Sequence, residues 1–288
     1  MHPFASIEYG DAQQADITIV FIHGWLDNAA SFDVLMQQLY LQKKNIHLYA
    51  FDLPGHGLSP SKGDSYFYPF HDYLDDVNQV FTTLSTKSCI LVGHSLGGLI
   101  ASCYSAAFPE NVIGLVQIEG KGPLSESPHF SLNRLRKGLE NRARMRRKSR
   151  KGYLDYASAL VHRSKSTHLP TSLIEPIVER GLKEQGGRWF WRADPKLSCP
   201  SLYRMSHEHA QEIMTNIFCP YHIILGNHGF EYLRDKDDVI RPKHSVIHTV
   251  AGGHHCHLES PEEVGQIILE LINIINNNQL SQKDHQLR

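Results

Sequence analysis

The feature that most restricts how this chain can fold is an apolar run that ends in Gly-x-Ser-x-Gly. Cys89-Ile90-Leu91-Val92 reads as a buried strand, Gly93-His94-Ser95-Leu96-Gly97 follows without a spacer, and residues 99–108 have helical spacing until Pro109 stops them. A chain that turns so sharply from strand to helix needs glycine where a side chain would strike neighbouring backbone. The turn then holds Ser95 in a strained conformation at a helix N-terminus, where the Leu96 N–H can face developing negative charge. Ser95 is therefore the candidate nucleophile and Leu96 a candidate oxyanion donor. A chance match to the five-residue pattern is the competing explanation. The strand before it and the helix after it weigh against chance.

Other short apolar runs bounded by Gly, Pro or Asp read as buried strands: residues 17–22, 47–51, 112–118, 221–225 and 245–250. Phe70, Tyr73, Leu74, Val77, Phe81 and Leu84 make one helical face between two of them. Strands alternating with helices predict an α/β fold, a mostly parallel central sheet with helices on both faces. The last helix is marked by Ser260 as cap, Pro261 in its first position and Glu263 completing a capping box. Residues 277–288 are polar and read as a loose C-terminal tail. The stretch 121–216 breaks the alternation with Arg, Lys, Ser and aromatics and holds no convincing strand. It is expected to be a helical cap inserted into a core formed by 1–120 and 217–276.

Bulk properties narrow the partners. Lys plus Arg number 29 against 30 Asp plus Glu, so the net charge of -1 argues against nucleic acid. The five cysteines show no paired short spacing, which favours a reducing compartment over a disulfide framework. The N-terminus lacks the basic and apolar regions of a signal peptide, and no apolar stretch is long enough to span a bilayer. A cytoplasmic location is expected. Nothing in the sequence sets an oligomeric state.

Two further segments sit at strand ends. In Phe21-Ile22-His23-Gly24-Trp25-Leu26-Asp27-Asn28 the Trp25 N–H is the natural second oxyanion donor, and His23 is expected to brace the loop. In Phe51-Asp52-Leu53-Pro54-Gly55-His56-Gly57 the Pro-Gly-His-Gly turn and Asp52 read as architecture.

These three segments, in this order, resemble the α/β-hydrolase superfamily, over nearly the whole chain outside the expected cap. Gly24-Trp25-Leu26-Asp27-Asn28 and Trp191-Arg192-Ala193-Asp194-Pro195 look like the serine hydrolase-like proteins within it. The resemblance implies an α/β-hydrolase fold and a histidine base late in the chain, in Gly253-His254-His255-Cys256-His257-Leu258-Glu259. The chemistry leaves three histidines open. The superfamily pattern favours His254, with His257 next and His255 pointing away. The usual acid would fall near Asn227-His228-Gly229, where no Asp stands. Some relatives, haloalkane dehalogenases among them, carry the acid on the strand after the nucleophile's helix. That position here is Glu119, with Glu231 or Asp235 as the alternatives and pairing of Glu119 with a cap arginine as the bland one.

Clustered histidines can bind zinc, but no cysteine or carboxylate cluster at ligand spacing supports a metal here, and no cofactor is expected. The implied chemistry is hydrolysis of a small acyl substrate, an ester, thioester or similar, through Ser95, His254 and Glu119. Carbon–carbon bond hydrolysis or cofactor-free oxygenation on the same scaffold is an alternative, as is a ligand-binding protein with a vestigial site. Ten basic residues between Arg134 and Lys151 face only Glu140. They read as a solvated helix face or as a pocket rim attracting an anionic substrate. Trp189, Phe190, Trp191 and Tyr203 could line an acyl pocket or make the cap's own core, and Arg192 and Asp194 are expected to pair.

Overall fold

The protein is described here by a computed structural model covering residues 3–84, 88–148, 150–234, 242 and 244–286, with side chains through 278. Its strands are β1 (Ser6–Tyr9), β2 (Ile17–Ile22), β3 (Ile46–Phe51), β4 (Cys89–His94), β5 (Val112–Ile118), β6 (Leu182–Gln185), β7 (Arg188–Trp191), β8 (Tyr221–Gly226) and β9 (Val246–Val250). Its helices are α1 (Asp33–Gln42), α2 (Asp72–Leu84), α3 (Leu96–Ala107), α4 (Ser131–Arg146), α5 (Tyr156–Thr167), α6 (Thr171–Gly181), α7 (His207–Thr215), α8 (Cys256–Glu259) and α9 (Pro261–Gln286). Seven strands form one sheet in the order β1-β3-β2-β4-β5-β8-β9. Every pairing in it is parallel except β1 with β3.

The central strands are apolar throughout because both faces are covered, as the sequence predicts. Ile19 and Phe21 of β2 pack with Leu35, Met36 and Leu39 of α1 and with Val264, Ile268 and Leu271 of α9. Val20 and Ile22, one residue out of phase, pack on the other face with Val77 and Phe81 of α2 and Ile100 and Tyr104 of α3. The period of two in strand side chains thus divides one apolar run between two cores. Among the described residues no helix is long and apolar enough to cross a membrane.

Three expectations change. The stretch 121–216 does contain strands: β6 and β7 form an antiparallel hairpin around Gly186 and Gly187, both at positive φ. Gly-Gly between Leu-Lys-Glu-Gln and Arg-Trp-Phe-Trp was the available signal. The chain beyond Asn276 continues α9 to Gln286 instead of loosening, since extending an anchored helix costs far less than starting one. Glu263 does not complete a capping box. The Ser260 N–H is already donated to the Cys256 carbonyl, and Glu263 accepts from the Ala251 N–H.

The elements between β5 and β8 have a small core of their own, with Ile174, Ile177, Val178 and Leu182 at its centre. Helix α7 packs instead on α3, through Ala210 against Cys103. The insertion is tied to the loops after β2 and β3. Asn28 Nδ2 donates to the Ile177 carbonyl at 2.8 Å, and Arg180 Nε lies 3.0 Å from Asp52 Oδ2. The Asp52 carboxylate also accepts the Ala29 and Leu58 N–H groups, so it is architecture, as expected. Removing one partner of a buried pair strands the other charge. Arg180→Met should therefore lower the unfolding free energy by about 3 kcal/mol in urea denaturation.

Candidate active site

The turn between β4 and α3 is as tight as its glycines imply. Ser95 sits at φ 48, ψ -116, and its N–H donates to the Ile118 carbonyl at 2.9 Å. A Cβ on Gly97 would lie 1.9 Å from the Ile22 carbonyl oxygen, and one on Gly93 2.4 Å from Gly97 backbone. Neither position admits a side chain. Ser95 is half-buried, and Leu96 opens α3 immediately after it.

The second loop follows β2. His23 Nδ1–H donates to the Gly24 carbonyl at 2.7 Å and Nε2 accepts the Leu53 N–H at 2.9 Å, so this buried imidazole is neutral and braces the loop. Burial pushes its pKa below the ordinary value, outweighing the Asp52 charge. Trp25 is half exposed, its indole N–H donating to the Leu197 carbonyl at 3.0 Å. Leu96 opens α3, where the first N–H has no acceptor within the helix, and among the described residues the Trp25 N–H enters no backbone hydrogen bond outside helices and strands.

The carboxylate comes from the end of β5. Glu119 is 3% exposed and, like Ser95, lies in the left-handed region, at φ 49. Its Oε1 accepts the Gly226 N–H at 2.8 Å, and Oε2 accepts the Phe230 N–H at 3.1 Å. Oε2 also lies 3.3 Å from His254 Nδ1. Its partners are thus backbone amides and His254, not an arginine of the insertion. A carboxylate only accepts, so His254 carries its proton on Nδ1 and presents the Nε2 lone pair. Gly229 makes this possible: a Cβ there would fall 2.0 Å from Glu119 Oε1. The Glu119 side chain therefore fills the loop after β8, where the sequence lacks the usual acid.

Ser95 and His254 lie on neighbouring turns. His94 Nε2–H donates to the His254 carbonyl at 2.8 Å, and the two rings are 4.9 Å apart. Among the described residues Ser95 Oγ closes no hydrogen bond to the imidazole; such bonds commonly tighten only when substrate is bound.

The remaining candidates separate cleanly. His257 is fully buried between Phe32 and His94, with no partner on either ring nitrogen, and burial pushes its pKa down to about 3. His255 Nε2–H donates to Asp27 Oδ2 at 3.3 Å, so its ring is engaged apart from the Glu119–His254 pair. Glu231 is exposed on a short turn, and Asp235 lies outside the described residues. Arg192 and Asp194 do not pair. Arg192 Nε donates to the Leu182 carbonyl, while Asp194 takes the Tyr68 hydroxyl and Lys196.

Ligand spacing along the chain supports no metal site, yet among the described residues one spatial grouping of potential ligand side chains is present. Asp27, His94 and His255 bring three potential ligand atoms within 4.8 Å of one another. They come from distant segments, so ligand spacing along the chain gave no signal.

Beside the Trp25 loop lies a cavity of about 990 Å³, walled by Trp25 and Leu26 on one side and Arg147, Lys148, Arg150 and Lys151 on another. Phe190 and Trp191 also line it, whereas Trp189 packs into the insertion's core and Tyr203 is exposed. Ser95 is not in its wall.

A model of the alpha/beta hydrolase family matches residues 19–267, and the chain belongs to that family. Within it the chain resembles the serine hydrolase-like proteins. It is 25% identical to the one from Danio rerio over 266 residues, covering 88% of this chain and 81% of that protein. A hypothetical protein from Pseudomonas aeruginosa PAO1 aligns in structure with a TM-score of 0.82 at 27% identity, covering 93% of this chain and 94% of that one. The thioesterase domain from the curacin biosynthetic pathway shares the fold, with a TM-score of 0.78 at 20% identity over 92% and 94% of the two chains.

The room Gly229 leaves for Glu119 is directly measurable. Gly229→Ala should cost about 1–3 kcal/mol in urea denaturation, the usual range for overpacking. It should cost almost nothing in a Glu119→Ala background, a coupling that a double-mutant cycle isolates.

Proposed function

We propose that the protein is a serine hydrolase that cleaves a small carboxylic ester, thioester or similar acyl substrate through an acyl-enzyme. The observation that carries this reading is a carboxylate-braced imidazole on the turn beside a serine held at positive φ. His254 Nε2 takes the proton of Ser95 Oγ as the oxygen attacks the acyl carbon. Glu119 fixes the ring's tautomer and stabilises its cation. The N–H groups of Trp25 and Leu96 receive the oxyanion, each worth about 3–4 kcal/mol in such sites. As the tetrahedral intermediate collapses, His254 returns the proton to the leaving group. Water, activated by the same nitrogen, then attacks the ester on Ser95 and releases the acid. The relatives' name, serine hydrolase-like, agrees with this chemistry.

A fluorophosphonate probe tests the proposal directly. Wild type should be labelled at Ser95 and should turn over a simple aryl ester, and Ser95→Ala should do neither. Glu119→Gln keeps an acceptor for the Gly226 N–H but loses the charge that orients His254, so turnover should fall roughly 10³–10⁴-fold with folding intact. Wild type that neither reacts with the probe nor hydrolyses esters would instead be a ligand-binding member with an idle site. Carbon–carbon bond hydrolysis would appear as probe labelling without ester turnover.

The basic wall of the 990 Å³ cavity beside the Trp25 loop would draw an anionic acyl substrate toward the site without itself holding Ser95, with residues 121–216 acting as the cap that carries the charge. Arg147→Ala combined with Arg150→Ala should raise KM for a carboxylated ester by about 5–10-fold at low salt and leave a neutral ester's KM unchanged. Equal effects on both esters would remove charge as the selecting property.

A further inference from the structure

Behind the nucleophile turn, the loop after β2, the last residue of β4 and the turn before α8 converge on one point. We propose that Asp27, His94 and His255 there form a site for a single divalent transition-metal ion of the zinc class, separate from Ser95, His254 and Glu119. The argument begins with His94. Its Nε2 faces the His254 carbonyl, which can only accept, so the ring proton is on Nε2 and Nδ1 is a bare lone pair. That lone pair belongs to a ring 1% exposed, has no hydrogen-bond partner, and lies 3.6 Å from Asp27 Oδ2. Lone pair and carboxylate oxygen face each other with nothing positive between them.

A cation bound between Nδ1 and Oδ2 answers both groups at once, and His255 Nε2 is a third potential ligand atom within 4.8 Å of each.

The two separations from Asp27 suit zinc, and all three ligand atoms lie within 4.8 Å of one another. Ligand atoms about 2.0–2.1 Å from a tetrahedral ion lie about 3.3–3.4 Å apart. Asp27 Oδ2 is 3.3 Å from His255 Nε2 and 3.6 Å from His94 Nδ1. Arg163 binds the other oxygen, Oδ1, at 2.5 Å and so orients the carboxylate without occupying Oδ2. Two imidazoles and one carboxylate suit the zinc class better than calcium or magnesium, which prefer all-oxygen shells. Gly24 keeps the space clear: a Cβ there would stand 2.7 Å from His94 Nδ1 and 3.3 Å from Asp27 Oδ2. On binding, His255 gives up its Nε2 proton, which moves to Nδ1 or to solvent, and presents Nε2 to the ion.

Calorimetric titration of chelator-treated, untagged full-length protein with zinc chloride tests the site without reference to catalysis. One equivalent should bind. His255→Ala should weaken binding about 100-fold or more, whereas His254→Ala should bind as wild type does. His255→Gln, which keeps the side chain's bulk and a donor to Asp27, provides the same comparison should the alanine variant fail to fold. The same pattern should hold for cobalt, read from its visible absorption. No binding by wild type, unchanged binding by the His255 variants, or loss of binding in His254→Ala would overturn the proposal; the last outcome would place the metal on the Glu119–His254 pair. None of these outcomes depends on ester turnover, so the hydrolase proposal stands or falls separately.

Discussion

Parallel pairing of β2, β4 and β5 is the constraint from which the site follows. Parallel neighbours end at the same edge of a sheet, so the loops after Ile22, His94 and Ile118 emerge side by side. The Ser95 N–H then reaches the Ile118 carbonyl, and Gly97 lies against the Ile22 carbonyl. Those two contacts fix the positions of Ser95, the loop after β2 and Glu119 relative to one another before their side chains interact. The positive φ of both Ser95 and Glu119 is strain held by that close packing.

The displaced carboxylate illustrates how a site can keep its geometry while changing its residues. A buried charge is costly unless hydrogen bonds replace its water. Glu119 recovers two of them, from the amide of Gly226 at the end of β8 and that of Phe230 in the loop that follows. That loop contributes backbone and an absent side chain at Gly229, and the neighbouring strand contributes the charge. The requirement met here is for a carboxylate at one point in space beside His254 Nδ1, whichever strand delivers it.

Legibility from sequence followed the distance over which each feature is determined. The strands of the central sheet could be read because burial on both faces writes an uninterrupted apolar run, and the serine turn because its glycines are sterically required within five residues. β1 was missed: Ser6-Ile7-Glu8-Tyr9 is a short edge strand whose identity comes from its antiparallel partner, not its composition. The contact between His254 and Glu119 agrees with the pair that motif resemblance suggested. The partner of His255 was not legible, because nothing adjacent to that residue announces Asp27, more than two hundred positions away. Arg192 and Asp194 were paired on sequence proximity, although Asp194 is satisfied by Tyr68 and Lys196 and Arg192 by a carbonyl. Proximity along an irregular segment is weak evidence of contact, since neighbouring side chains there commonly diverge.

The ties between the insertion and the sheet bear on how the site works as a unit. Arg180 holds Asp52, Arg163 holds Asp27, and Asn28 holds the Ile177 carbonyl. All three reach the loops after β2 and β3, and the first of those loops carries the Trp25 N–H. The Trp25 indole adds a fourth tie, to the Leu197 carbonyl. A displacement of α5 or α6 therefore reaches the loop after β2 by way of Asp27 and Asn28. The insertion is thus tied both to the loop that carries Trp25 and, through Asp27, to His94 and His255, the chain neighbours of Ser95 and His254.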